Sequence, residues 1–324
     1  MKKKMFMMLC LAILGIQVSK AQQSIIALHH EGNVTIFSGS KTQEAMDASV
    51  KGDTLYLSEG TFAGWDVTHG IVVLGSGERT VMSGNITITG NDEKKDLGGY
   101  VFSGLNLLHD FVVNDSVNGL KISQCQMNNF TVNADMFLDS GEIIMSFIGG
   151  NMDLGGAEYG LDVLSSKINI IRGHGQRLGS VNFNHCNINS IEADLTMRVF
   201  QNCIIKMCCG GTYQHCLFTG NNNISKNGWG GESDDFVQAT KINCFKGSFT
   251  FDDDLNCSLS NDDLIAEGYL GDDGSIVGIT GGEIPYTLEL ATPHIVDHKV
   301  DVDNVNRKLT VTLKMAHEAT KEDE

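Results

Sequence analysis

Proline is almost missing from this chain: there are 2 in 324 residues, against 37 glycines. Both of them, Pro285 and Pro293, lie close to the C-terminus. A chain without proline can build long uninterrupted β-ladders, because each interior strand keeps the N–H that its neighbour needs. Positive charge is scarce too. Lys and Arg number 23 against 40 Asp and Glu, a formal charge of −17. That balance excludes a nucleic-acid partner, since phosphate contacts need clustered basic residues. Long apolar runs are also lacking. The longest, Met5 to Val18, falls short of the ~20 residues that span a bilayer, so no membrane span is expected. Phosphate loops, a Gly-x-Ser-x-Gly elbow and a dinucleotide fingerprint are absent. His29, His30, His185 and His215 have no zinc-like spacing. No metal and no cofactor is therefore expected.

The first 21 residues read as a removable leader. Lys2, Lys3 and Lys4 precede the apolar run, and Ser19-Lys20-Ala21 offers a small-residue cleavage site. Cys10 sits in the middle of the run, which argues against a lipoprotein anchor. Losing the four lysines of this segment leaves 19 basic against 40 acidic side chains, a charge of −21. The expected location is secreted, periplasmic or at the cell surface. Neutral glycans are compatible with such a surface, so a polysaccharide is the partner class left open.

What the chain does have is a recurring line. It reads Phe102-Ser-Gly-Leu105-Asn-Leu107, then Ile122-Ser-Gln-Cys125-Gln-Met127. It returns as Phe183-Asn-His-Cys186-Asn-Ile188, Phe200-Gln-Asn-Cys203-Ile-Ile205 and Tyr213-Gln-His-Cys216-Leu-Phe218. Weaker echoes fall at Met145 to Ile148 and Leu161 to Ile168. The spacings are 20 (Leu105 to Cys125), 17 (Cys186 to Cys203) and 13 (Cys203 to Cys216). Repeats of this length imply stacked units that bury their apolar face only against neighbours. Strands alternate in and out, as at Val181-Asn-Phe183, with Gly and Asn between them for tight turns. A β-sandwich of irregular strands is the competing architecture. Alternation places each Cys on the same inner side as the apolar residue two positions later. Eight cysteines remain after the leader. Stacked at ~4.8 Å with parallel Cβ vectors, they suit a reduced internal ladder better than disulfides. Cys208 and Cys209 are expected to split, one in and one out.

Ahead of the repeats, Lys41 to Val50 is the best helix candidate, followed by strands in Asp53 to Phe62 and Ile71 to Gly77. This helix, then Gly52-Asp-Thr-Leu-Tyr-Leu-Ser-Glu-Gly-Thr-Phe62, then Ile71-Val-Val-Leu-Gly-Ser-Gly77, resembles the opening of secreted right-handed parallel β-helix proteins of the pectin-lyase-like superfamily. Over residues 41–90 the resemblance implies a fold, with the helix capping the open end of the coil. Asp273-Gly-Ser-Ile-Val-Gly-Ile-Thr-Gly-Gly-Glu-Ile-Pro-Tyr286 resembles a closing segment of β-helix proteins from Bacteroidetes-type bacteria. The expected fold class is thus all-β: a right-handed parallel β-helix of roughly ten coils, ~50 Å long, with an N-terminal helical cap and a C-terminal strand cap. The expected divisions are 1–21 leader, 22–268 β-helix and 269–324 capping segment.

Chemistry has to come from residues between the lines. Gly173-His-Gly-Gln-Arg-Leu-Gly-Ser180 resembles the Gly-His-Gly line of polygalacturonase-type glycosidases, which are also β-helices. That resemblance implies Asp135, Asp153, His174 and Lys206 as catalytic candidates on successive coils. The usual Asp pair is reduced to Asp153 followed by Leu154, and no Arg precedes Lys206 at the family's offset. His174 equally suits a plain turn. Asp252 to Asp254 and Asp262-Asp263 would be the acids of a lyase, but no nearby basic pair accompanies them in sequence, and solvated turns are the simpler reading. Trp229, with Glu232, Asp234 and Asp235 close by, is a candidate sugar-stacking platform. The expectation is a glycan-binding or surface-associated β-helix protein. A divergent polysaccharide-degrading enzyme is the alternative.

Overall fold

The structure, a computed structural model, describes residues 24–89, 98–133, 136–155, 159–173, 180–192, 198–208, 211–219, 241–290, 294–303 and 308–316. The chain winds into a parallel β-solenoid of about six turns with little helix, fewer than the roughly ten coils expected. Two sheets share the work. In one, strands at Thr54–Leu57, Val72–Leu74, Val101–Ser103, Lys121–Ser123, Leu138–Ile144, Tyr159–Leu164, Val181–Asn184, Arg198–Gln201, Thr212–Gln214 and Lys241–Ile242 pair in that order. The other stacks the strand that follows each of these around the corner.

Register explains the recurring line. Its first apolar residue forms one buried column, Phe102–Ile122–Ile143–Val163–Phe183–Phe200–Tyr213. Its last forms another, Leu107–Met127–Ile148–Ile168–Ile188–Ile205–Phe218. The weak echoes at Met145 and Leu161 are full rungs of the same ladder. Between the columns the chain turns the corner on one residue at positive φ: Gly104, Gln124, Met145, Ser165, His185, Asn202, His215 and Asn243, all between 45° and 66°.

The next position carries the cysteines, and they do more than fill space. The corner leaves one N–H of the preceding rung without a ladder partner, while the carbonyl two residues earlier, which already accepts from that rung (His185 N to Gln201 O at 3.2 Å), can take a second donor. A small side chain with one donor and one acceptor serves both. Cys203 Sγ donates to Gln201 O at 3.1 Å and accepts from Cys186 N at 3.4 Å. Ser146 and Ser166 stand in the same slot and donate to Ile144 O and Leu164 O at 2.9 and 2.8 Å. Ser166 Oγ accepts from Ser146 N at 3.1 Å.

All seven described cysteines are free thiols: Cys125, Cys186, Cys203, Cys208 and Cys216 are buried, and Cys244 and Cys257 half-buried. Cys209 lies outside the described residues. Burial pushes the Cys125 thiol up to about 12. Native protein at neutral pH should therefore expose Cys244 and Cys257 to a thiol reagent first, with the five buried thiols reacting only on unfolding. Peptide-resolved alkylation checks the order, and an oxidised rung would show as thiols missing in denaturant without reductant.

At the N-terminal end the solenoid does not begin with a coil. β1 (Ile25–His30) pairs antiparallel with β2 (Asn33–Ser38) on one side and with β3 (Thr54–Leu57) on the other. A two-residue turn joins β1 to β2, with Glu31 at φ 45° and Gly32 at φ 80°. Both central residues positive is the hairpin-favouring geometry, and glycine carries the larger angle without strain. The helix Thr42–Ala48 follows and buries Ala45 and Met46.

Beyond Gly247 the chain leaves the ladder and folds back on its outside. Phe249, Leu264 and Val277 cover outward-facing Ile204 and Leu217 in a small second cluster. Residues 271–290 then run back along the corner of the coils. Gly278 N donates to Asn202 O at 2.7 Å. His185, buried, contacts Asp273 Oδ2 through Nε2 at 2.9 Å and Gly278 O through Nδ1 at 3.2 Å. Further on, Gln124 donates to Glu289 O, and Leu290 sits against Gly104, where an added Cβ would come within 2.7 Å of it. This part of the expected capping segment thus lies along the flank of the ladder. Residues His294–Asp303 and Lys308–Ala316 form an antiparallel pair.

Candidate functional site

The column after the cysteines faces outward: Asn106, Gln126, Phe147, Lys167, Asn187, Ile204, Leu217 and Phe245. The returning segment covers its middle. Under that cover two polar residues, Lys167 and Asn187, replace the apolar ones, and a cleft opens beside them.

Lys167 Nζ donates to Asn256 Oδ1 at 2.7 Å and lies 4.6 Å from the centre of the Tyr286 ring. Burial lowers the Lys167 pKa, and the carboxylates of Asp254 and Asp252 partly oppose it. Asp252 is itself held low by donors from the side chain and backbone of Asn256. Burial first, then Asp254 and Glu78, pushes the Tyr286 phenol up. The Asp252 loop and Lys167 thus form one structural knot that fixes Asn256.

The cleft has a volume of about 150 Å³. At about 30 Å³ per water it has room for about five waters or one small ring. Asn187, Asn256, Ser260, Asn261 and Thr280 supply its polar atoms, and Ile204, Leu259, Leu264 and Ile279 its apolar ones. Thr280 Oγ1 donates to Asn261 Oδ1 at 2.9 Å, joining the two walls. Asn187 is only 1% exposed. Its Nδ2 donates to Leu255 O at 2.9 Å, but its Oδ1 receives no hydrogen bond. A buried amide oxygen without a donor costs about 1–3 kcal/mol. The ionisable group in the lining is the Cys257 thiol, pushed up by burial and so neutral. The lining can hold a neutral polar molecule. It has no acid–base pair with which to cleave one.

The sequence candidates fall elsewhere. Asp135, His174 and Trp229 lie outside the described residues, as do Glu232, Asp234 and Asp235. Asp153 sits on the outer face of the Phe147–Leu154 strand, opposite Thr131 and Arg172. Arg172 is engaged by Glu192 at 2.9 Å. Lys206 is on Ile204–Met207, three strands along the same sheet. At ~4.8 Å per strand this puts at least ~14 Å between the two, so the structure does not bring them together. His215 remains at its corner, while His185 pins the returning segment. No group of three or more His, Cys, Asp or Glu positioned for a metal occurs among the described residues, and none of their helices could cross a membrane. Sequence reasoning missed the cleft because its walls are distant in the chain, Asn187 meeting Leu255 across 68 residues. The one local signal was a Lys and an Asn in the stretch of the outward column that is otherwise apolar from Phe147 to Phe245.

No protein-family model matches the chain, and comparisons with curated proteins and with solved structures give no match.

Proposed function

We propose that the protein is an extracytoplasmic, right-handed β-helix of the pectin-lyase-like kind that binds neutral glycan, with the flank cleft as its binding site. In this reading the helix Thr42–Ala48 and the C-terminal hairpin cap the coil. The observation that carries the binding role is a cleft walled by amides, hydroxyls and aliphatic carbons. Sugars present that combination of hydroxyl donors and apolar C–H faces. The absence of a carboxylate or cation from the lining favours a neutral sugar over a uronate. Binding is favoured over cleavage, because Asp153 and Lys206 stand three strands apart and the cleft offers no acid–base pair.

A microarray of neutral and acidic oligosaccharides, followed by calorimetry on any hit, tests this reading. Neutral glycans should bind. Thr280→Val, which removes a hydroxyl at nearly constant volume, should weaken binding about tenfold, the equivalent of one hydrogen bond of about 1.4 kcal/mol. Binding of uronates alone, or equal affinity in Thr280→Val and Asn261→Ala, would remove the cleft from consideration. Release of shortened products would favour the polysaccharide-degrading alternative.

A further inference from the structure

Lys167, Asn256 and Asp252 meet where the returning segment crosses the ladder. Their order in space is that of a nucleophile, an electrophile and a proton carrier. Lys167 Nζ lies 2.7 Å from Asn256 Oδ1. With a carbonyl bond of about 1.23 Å, this places Nζ roughly 3–4 Å from Cγ, at the edge of near-attack range. The amide is held on its other side as well. Asn256 Nδ2 donates to Asp252 Oδ2 at 2.9 Å, and the Asn256 backbone N–H donates to Asp252 Oδ1 at 2.8 Å. The carbonyl therefore faces the amine, and the nitrogen that would leave faces a carboxylate.

A lysine ordinarily resists such a role, because its ammonium has no lone pair. Lys167 is only 7% exposed, and the Tyr286 ring stands 4.6 Å from Nζ on one side. Burial lowers its pKa against the opposing pull of Asp254 and Asp252, so the neutral amine is more populated than at a surface lysine. Nζ makes no ion pair among the described residues that would lock the charge in place.

We propose that Lys167 and Asn256 join in an intramolecular amide, Nζ to Cγ, which ties the returning segment to the ladder. The Nζ lone pair adds to Cγ, the Nζ–Cγ bond forms and the Cγ–Nδ2 bond breaks. One Nζ proton passes through the Asp252 carboxylate to Nδ2, ammonia departs into solvent, and Asp252 ends as it began. The step is an exchange of one amide for another, with no change of oxidation state and no co-reactant. The bond closes a loop between residues 89 apart in the chain. It forms beyond Gly247, where the chain has left the hydrogen-bonded ladder, and it does not depend on glycan binding.

Peptide mapping of the purified full chain, incubated at neutral pH until its mass is constant, tests the proposal. The expected result is one fragment that joins the peptides holding Lys167 and Asn256, lighter than their sum by one ammonia, about 17 Da. Lys167→Arg keeps a positive charge and a donor but has no nucleophilic amine. This variant and Asn256→Ala should each abolish the joined fragment, with the far-UV circular dichroism of the folded chain retained. Asp252→Asn should slow its formation at least tenfold, and an unchanged rate would overturn the part given to Asp252. A loss of about 17 Da confined to an unjoined peptide, as when an N-terminal glutamine cyclises, would overturn the proposal. So would separate peptides with unmodified Lys167 and Asn256 from the folded wild type.

Discussion

Phe200→Ala should lower the unfolding free energy by about 3–5 kcal/mol, the usual cost of emptying a buried aromatic site. Phe200 is fully buried in the middle of a stack. Its ring lies 4.8 Å from Phe183 at an interplanar angle of 9°, and 5.1 Å from Tyr213 at 19°. Each rung of a solenoid touches only the rungs above and below, so a cavity here cannot be refilled from elsewhere in the core. The substitution leaves one face of both neighbouring rings without contacts. Urea denaturation measures the effect as a fall in midpoint at unchanged slope. Phe137→Ala supplies the control: its side chain is 40% exposed, and the loss there should stay below about 1 kcal/mol. Equal effects at the two positions would mean that the stacked column does not hold the turns together.

The column was legible in the sequence because it is a local pattern repeated. Phe183, Phe200 and Tyr213 open three copies of one line, and alternation alone puts them and the cysteines on the same side. The two echoes were legible for the same reason, although Ser146 and Ser166 replace Cys in them. The Glu31-Gly32 hairpin was not, because Glu at positive φ is an uncommon turn residue. The flank segment was hidden for a different reason. Its contacts, such as Asp273 with His185 across 88 residues, depend on which coil ends where, and coil length varies from rung to rung. The catalytic candidates shared that weakness. Residues spaced at coil-like intervals can share a face and still stand several strands apart, as Asp153 and Lys206 do.

The cysteine slot yields the sharpest contrast between two accounts of the core. If Cys203 were only a small hydrophobe, Cys203→Val would be nearly neutral and Cys203→Ser would cost stability by burying a hydroxyl. The hydrogen bonds invert the order. Val would strand Cys186 N, a buried backbone group that the thiol serves at 3.4 Å, and would remove the second donor to Gln201 O, which keeps the His185 N–H at 3.2 Å. At about 1–3 kcal/mol for an unsatisfied buried group, the loss should be about 1–3 kcal/mol. Ser keeps both functions, and the chain already uses it: Ser146 and Ser166 make the same bonds at 2.9 and 2.8 Å. Cys203→Ser should therefore stay within about 1 kcal/mol of wild type. Urea midpoints of the two variants decide the matter, with Val below Ser expected and Ser below Val contradicting the ladder. Neither outcome requires a metal or a redox change. The thiols recur because a tight corner needs an acceptor for one buried N–H in the space of a single small side chain.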